Sequence, residues 1–228
     1  MSPLPTVSVI VVTRDRPQLL AHALASVAAQ SHAPLEVRVG EDGGGTSAQV
    51  AEGVALLELT LLPLECGQAG AARNAAAAGA RGDVLAFLDD DDVWEPEHLA
   101  GLAGAFADDH VGFAWRDSEV VQETLDEHGT RTLLARRLLA RDWDDALMRS
   151  DAYLPPSAWG VRRELFERLG GFDTRFRYSE DWDFVLRAAA ATRVRRVPGV
   201  TVQVRLRATG NASAEFTPER LDCLRRLA

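Results

Sequence analysis

Residues 84–92 read Val-Leu-Ala-Phe-Leu-Asp-Asp-Asp-Asp, a short apolar run that ends in four consecutive carboxylates. An apolar run of this length, without alternation, is the mark of a strand covered on both faces, as inside a parallel sheet. Four acids at its carboxyl end repel one another and keep their charge only with help. A divalent cation supplies that help, because hard oxygen ligands suit Mg2+ or Mn2+. In open α/β sheets the ligand crevice lies outside the carboxyl ends of the strands. The expectation is a metal site at a strand end, beside an anionic substrate. An acidic start to the next helix, with Pro96 near its first turn, accounts for one or two acids but poorly for four.

The rest of the first half supports that strand. Val7 to Thr13 is a β-branched strand, and Pro17 suits the first position of the helix that follows. Leu19, Leu20, Ala23, Leu24, Val27 and Ala28 give this helix one apolar face. Leu35, Val37 and Val39 alternate along a second strand that ends in Glu41-Asp42-Gly43-Gly44-Gly45. A short helix from Thr46 to Ala51, a strand from Leu56 to Leu62 and an alanine-rich helix from Ala71 to Ala80 follow. Strands alternating with helices imply a doubly wound, mostly parallel sheet.

The second half is less regular. Val111 to Trp115 and Glu119 to Val121 read as two strands, and Thr132 to Arg141 and Trp143 to Arg149 as helices. Ala158 to Arg162 returns to the sheet. Glu164 to Leu169 is a helix closed by Gly170-Gly171. Tyr178 to Asp183 opens another helix, which runs to about Ala191. Val194 to Val197 and Val200 to Leu206 are strands, and Thr217 to Leu227 is a terminal helix.

Composition removes some functions. A net charge of −9 argues against a nucleic-acid partner. No apolar run approaches the ~20 residues of a membrane span. The N-terminus lacks the basic-then-apolar pattern of a signal peptide, so a cytoplasmic protein is expected. All 25 basic residues are arginine. Cys66 and Cys223 fit no metal or redox spacing and are expected to be reduced.

The ordered motifs resemble the inverting family 2 glycosyltransferases with the GT-A fold. They are Val7 to Thr13 with Arg16-Pro17, Glu41-Asp42-Gly43, Ala72-Arg73-Asn74, Phe87 to Trp94 with Pro96, Gly170-Gly171-Phe172-Asp173, and Glu180-Asp181-Trp182-Asp183. The resemblance implies a single GT-A domain over 1–228, an α/β fold with a Rossmann-like sheet flanked by helices. Residues 1–115 would form the nucleotide-sugar half. Residues 116–228 would form an α+β acceptor and catalytic half sharing the sheet. It further implies Mn2+ or Mg2+ and a nucleotide-diphospho-sugar donor, UDP- or TDP-linked, with transfer by single displacement.

Carried over residue by residue, the resemblance makes Asp42 the base-binding carboxylate and sets Thr13 beside the nucleoside. The next position, often aromatic in the family, is Arg14, whose guanidinium plane can also stack or face solvent. Arg73, with Asn74 next to it, lies where a helix start meets a phosphate, or is a surface arginine. Asp89-Asp90-Asp91 matches the Asp-x-Asp motif. Asp91 is then the direct metal ligand, Asp89 lies near the ribose or the metal's waters, and Asp90 and Asp92 support. Asp181 matches the catalytic base, which takes the acceptor's proton as its oxygen attacks. Glu180 and Trp182 flank the sugar. Where the family often has a histidine, this chain has Arg207, which cannot bind a metal but can pair with a diphosphate.

A non-catalytic nucleotide-sugar or metal-binding domain is a competing reading. A sugar nucleotidyltransferase is another, although Thr13-Arg14-Asp15-Arg16-Pro17 lacks its phosphate-loop glycines. The acceptor is open among a saccharide, a small molecule and a lipid-linked species, the last allowing peripheral contact with a membrane. Residues 117–156 should shape it, with His128, Asp144, Tyr153 and Trp159 as candidate contacts.

Overall fold

The computed structural model describes residues 3–45, 47–54, 58–125 and 131–207. Its centre is a parallel sheet built from β1 (Val7–Thr13), β2 (Glu36–Glu41), β3 (Leu59–Pro63) and β4 (Val84–Asp89). The spatial order is β3-β2-β1-β4, all parallel. β1 and β4 are central and covered on both faces, which is why neither alternates with polar residues. Val9 and Val11 of β1 and Ala86 and Leu88 of β4 face one core, under α1 (Pro17–Ala28) and the later helix α4 (His98–Ala105). Ile10 and Phe87 face the other, with α3 (Ala69–Ala77). Each large side chain buried this way stabilises the fold by about 1.5–3 kcal/mol. A short α2 (Ala48–Glu52) links β2 to β3.

Beyond β4 the same sheet continues with mixed direction. The two-residue β5 (Val93–Trp94), β6 (Val111–Leu125), β7 (Arg131–Leu139), β8 (Trp159–Arg162) and β9 (Arg193–Arg207) complete it. β8 runs antiparallel between β4 and β6, β9 lies parallel to β6, and β7 is an antiparallel edge on β6. The fold is GT-A-like α/β, as expected. Helices α5 (Asp145–Met148), α6 (Arg163–Arg168) and α7 (Glu180–Ala191) complete the described residues.

Three local expectations are corrected. Residues 111–121 form one strand, not two, because the polar break at Arg116-Asp117-Ser118 is buried and satisfied. Arg196 and the Gly199 amide donate to Asp117, and Arg116 donates to Thr201. The two strands expected over 194–206 are likewise one, kinked where the ladder skips from Val197 to Val200 and Gly199 takes φ +118°. Thr132 to Arg141, expected as a helix, is mostly the edge strand β7. Its leucines mimic a helical stripe, yet none of residues 132–138 is buried, so pairing with β6 decides the backbone. The terminal helix expected over 217–227, with Cys223, lies outside the described residues.

An aromatic cluster supports the ground beneath β4. Phe87 packs on Trp159, Phe166 and Phe172 at centroid distances of 5.0–5.5 Å, and Trp159 stacks on Phe184 at 5.6 Å. These contacts tie β4, β8, α6 and α7 together.

On the opposite face His98 is fully buried, stacked on Trp94 at 4.4 Å and hydrogen-bonded to Thr201 at 2.9 Å. Burial, helped by the Arg116 charge, holds its pKa well below the usual imidazole value. The folded protein keeps it neutral while the unfolded chain protonates near pH 6.5. The unfolded state therefore binds more protons as pH falls below about 6.5, and stability drops by up to about 1.4 kcal/mol per pH unit. His98→Phe keeps a ring on Trp94 and is expected to remove this part of the pH dependence. Urea midpoints of both proteins above and below about pH 6.5 check it.

Candidate active site

At the carboxyl ends of β1 and β4 the chain opens into a cleft of about 1020 Å3. Arg16, Gly67 to Ala69, Arg73 and Asp89 to Asp92 form one wall. Ala135 to Arg137 and Leu139 of β7, Leu154 to Pro156, and Arg177 to Trp182 form the rest of the wall, with other residues.

The four carboxylates after β4 turn over tightly, with Asp92 N–H donating to the Asp89 carbonyl at 3.1 Å. Asp90 and Asp92 point into the protein. Asp90 accepts from Thr13 Oγ1 at 2.6 Å, and Asp92 from Ser157 Oγ at 2.5 Å and the Arg205 main-chain N–H at 3.0 Å. Burial pushes Asp90 up to about 6, against the pull of Thr13 and Arg16. Burial and the charges of Asp89 and Asp91 push Asp92 well above the usual carboxylate range. Asp89 and Asp91 stay partly open to the cleft, with side chains 28% and 20% exposed. Arg16 Nη1 stands 3.3 Å from Asp91.

Arg73 is the hub. Its Nη2 donates to Asp89 at 2.6 Å and its Nη1 to Glu180 at 2.7 Å, and its guanidinium lies 5.7 Å from the Phe172 ring centre. Arg73 is buried, and its Nε has no partner. Burial alone would depress the guanidinium; the charges of Asp89 and Glu180 outweigh it, so its pKa is raised and it stays charged. Gly70 makes this close approach possible: a Cβ there would stand 2.8 Å from Glu180 Cγ.

The first turn of α7 carries the other acids. Ser179, just before it, takes φ +64°, a left-handed backbone uncommon for a non-glycine residue, and this sets the direction in which the helix starts. Asp181 faces the cleft, half-buried. Burial raises its pKa, while Arg73 and the Trp182 main-chain N–H pull the other way. Burial and the Asp181 charge push Glu180 up to about 7, against Arg73. Trp182 is fixed by its indole N–H, which donates to the Met148 carbonyl at 2.5 Å, and it lines the cleft.

The structure therefore brings Arg73, Asp89, Asp90, Asp91, Glu180, Asp181 and Trp182 to one cleft, with Thr13 behind Asp90. Asp42 sits beside it, buried, accepting from the main-chain N–H groups of Cys66 and Gly67. Arg14 is exposed and does not line the cleft. The Arg207 side chain lies outside the described residues. Asn74 does not line the cleft. Its amide clamps the Phe172 main chain in both directions, at 2.8 and 2.9 Å, which holds the Gly170-Gly171 turn.

The family 2 glycosyl transferase model matches residues 8–170. The chain belongs to glycosyl transferase family 2. It is similar to the uncharacterized glycosyltransferase YwdF of Bacillus subtilis (strain 168), with 33% identity over 224 residues, 97% of this chain and 82% of that one. Its fold is similar to that of S. aureus TarS 1–349 in complex with UDP-GlcNAc, at a TM-score of 0.70 and 20% identity, covering 97% of this chain and 65% of that one. It is also similar to the mannosyltransferase PcManGT of Pyrobaculum calidifontis in complex with GDP-Man and Mn2+, at 0.67 and 22%, covering 92% and 59%. The chain thus spans less than two thirds of either solved protein.

In this family 2 glycosyltransferase, several cleft residues escaped the sequence reading. Arg136, Arg137 and Arg177 line the cleft, and Ser157 anchors Asp92; no local motif marks any of them. Of the side chains expected to meet an acceptor, Asp144 caps α5, Tyr153 is buried with its hydroxyl on the Asp142 carbonyl, and Trp159 is core. None of the three lines the cleft. His128 lies outside the described residues.

Proposed function

We propose that this chain is a metal-dependent, inverting transferase that moves a sugar from a nucleotide-diphospho-sugar, UDP- or TDP-linked, to an acceptor hydroxyl. The observation that carries this reading is the Arg73 bridge. It joins Asp89, at the end of the donor-side strand, to Glu180, the chain neighbour of Asp181, across a single cleft. Residues 1–115 would hold the donor and 116–228 the acceptor, as two halves of one domain.

Among the described residues, no three His, Cys, Asp or Glu side chains converge to hold a metal alone. The donor set still fits one. Mg2+-type ions commonly take one or two carboxylates and complete their shell with water and substrate phosphate oxygens. Asp89 and Asp91 are the two carboxylates that keep some exposure here. When bound, the cation would act as a Lewis acid toward the departing diphosphate; PcManGT holds Mn2+ with its donor.

The protein's own residues do the rest. Asp42 would accept the ring N–H of uracil or thymine with the lone pair its two amide partners leave free. Thr13 would hold Asp90 and stand near the nucleoside, while Arg73 fixes Asp89. Asp181 would take the proton of the acceptor hydroxyl as that oxygen bonds to the anomeric carbon. The bond from that carbon to the diphosphate breaks, and its electron pair leaves with the nucleoside diphosphate. A carboxylate raised above its ordinary pKa is the stronger base, provided that it is ionised at working pH.

A thermal-shift panel tests the donor side, using UDP, TDP, GDP, CDP and ADP, each with Mn2+, Mg2+ or EDTA. A nucleotide at a hundredfold its Kd stabilises by about 2.7 kcal/mol, roughly 5–10 °C in Tm for a chain of this size. The expected result is a shift with UDP or TDP that EDTA removes. A shift indifferent to EDTA contradicts metal dependence, and no shift with any nucleotide contradicts the donor assignment.

A further inference from the structure

The edge strand β7 carries exposed leucines that do not line the cleft. Residues 131–141 read Arg-Thr-Leu-Leu-Ala-Arg-Arg-Leu-Leu-Ala-Arg, with four arginines, four leucines and no acid, in a chain of net charge −9. Five large apolar side chains are exposed among the described residues, and three are on this strand: Leu133, Leu134 and Leu138, at 50%, 54% and 57%. The ladder to β6 skips Leu134, since Gln122 pairs with Ala135 and Glu123 with Leu133, so the strand is bulged between the leucines.

Arginines alone would serve to protect an edge strand from unwanted pairing. Exposed leucines do the opposite, and want cover. Arg136 already pairs with Glu119 at 3.0 Å but stays 59% exposed, and Arg137 is exposed beside it, so an occupant that is apolar and anionic at once suits the strand. A second copy pairing edge to edge on β7 is the competing occupant, and the test separates the two. An anionic lipid surface fits both features, with leucines entering the headgroup boundary and arginines meeting phosphates. Ala135, Arg136, Arg137 and Leu139 of this strand line the cleft while Leu133, Leu134 and Leu138 do not, so the leucine surface lies beside the cleft rather than in it.

We propose that β7 docks the protein onto an anionic membrane surface.

The test is co-sedimentation of the full chain with vesicles of phosphatidylcholine alone, or of phosphatidylcholine mixed with phosphatidylglycerol. Donor binding is followed in the same samples by the UDP and Mn2+ thermal shift. The chain is expected to sediment only with the anionic vesicles and to be released by high salt. Removing two arginines in Arg136→Gln/Arg137→Gln should weaken binding roughly thirtyfold. Leu133→Ser/Leu134→Ser/Leu138→Ser, which changes no charge, should also abolish it with the UDP shift intact. Absence of sedimentation with anionic vesicles, or sedimentation unchanged in both variants, overturns docking whatever UDP does. A leucine variant that turns a dimer into a monomer on size exclusion, without vesicle binding by the parent, assigns the surface to a second copy and also overturns it. Vesicle binding without a UDP shift leaves docking standing and counts against a UDP-linked donor instead.

Discussion

Arg73→Met is expected to destabilise the protein by about 3–5 kcal/mol, the usual cost of stranding one side of a buried ion pair. The reason is specific to the bridge. Glu180 is 6% exposed and has Arg73 at 2.7 Å as its cationic partner. Without the guanidinium, its carboxylate sits buried beside Asp181 with only main-chain N–H groups at the start of α7 to offset either charge, and Asp89 is freed at the cleft. Adding Glu180→Gln removes the stranded charge, so Arg73→Met/Glu180→Gln should recover most of the loss, as paired removal of buried charges commonly does. Urea unfolding of the wild type, both single variants and the double variant measures the cycle. A single-variant cost under about 1 kcal/mol, or a double variant no better than Arg73→Met, would contradict the buried-bridge description.

Asp181→Asn is expected to lower kcat by about 10^2–10^4-fold, the usual contribution of a general base. Asparagine keeps the shape and loses the proton acceptor, so donor binding should stay near wild type. The pH profile carries a second signature. Asp181 must be ionised to act, and burial raises its pKa above the ordinary aspartate value. Activity is therefore complete above the raised pKa and is lost as pH falls through it. The acid limb of kcat/KM should lie above the range of an exposed aspartate, near 3.9. A limb at or below that range would contradict the assignment.

Much of the first half of the chain was legible because its signals are local. Val84 to Leu88 is apolar throughout because the strand lies between two cores, and Pro17 and the paired glycines at 170 and 171 punctuate their helices as expected. What was not legible depends on partners far away in the chain. Four identical aspartates in a row give no hint of which turn inward; Thr13 and Ser157, from other elements, select Asp90 and Asp92. Arg73 and Glu180 are 107 residues apart, and their contact depends on Gly70 leaving room. The edge strand β7 misled for the opposite reason. Its leucines are spaced like a helix face, but no core stands behind them, and only the ladder with β6 fixes the backbone.

One cleft is proposed to bind the donor and to activate the acceptor through Asp181. The most direct measurement is nucleoside diphosphate release from UDP- and TDP-sugars by the wild type and Asp181→Asn, with Mn2+, alongside donor binding by each. Release by the wild type is expected on at least one donor. A loss of about two orders of magnitude or more is expected in the variant, with donor binding retained. Equal release by the two proteins, or none by the wild type although it binds the donor and is offered lipid-linked, saccharide and small-molecule acceptors, would contradict it.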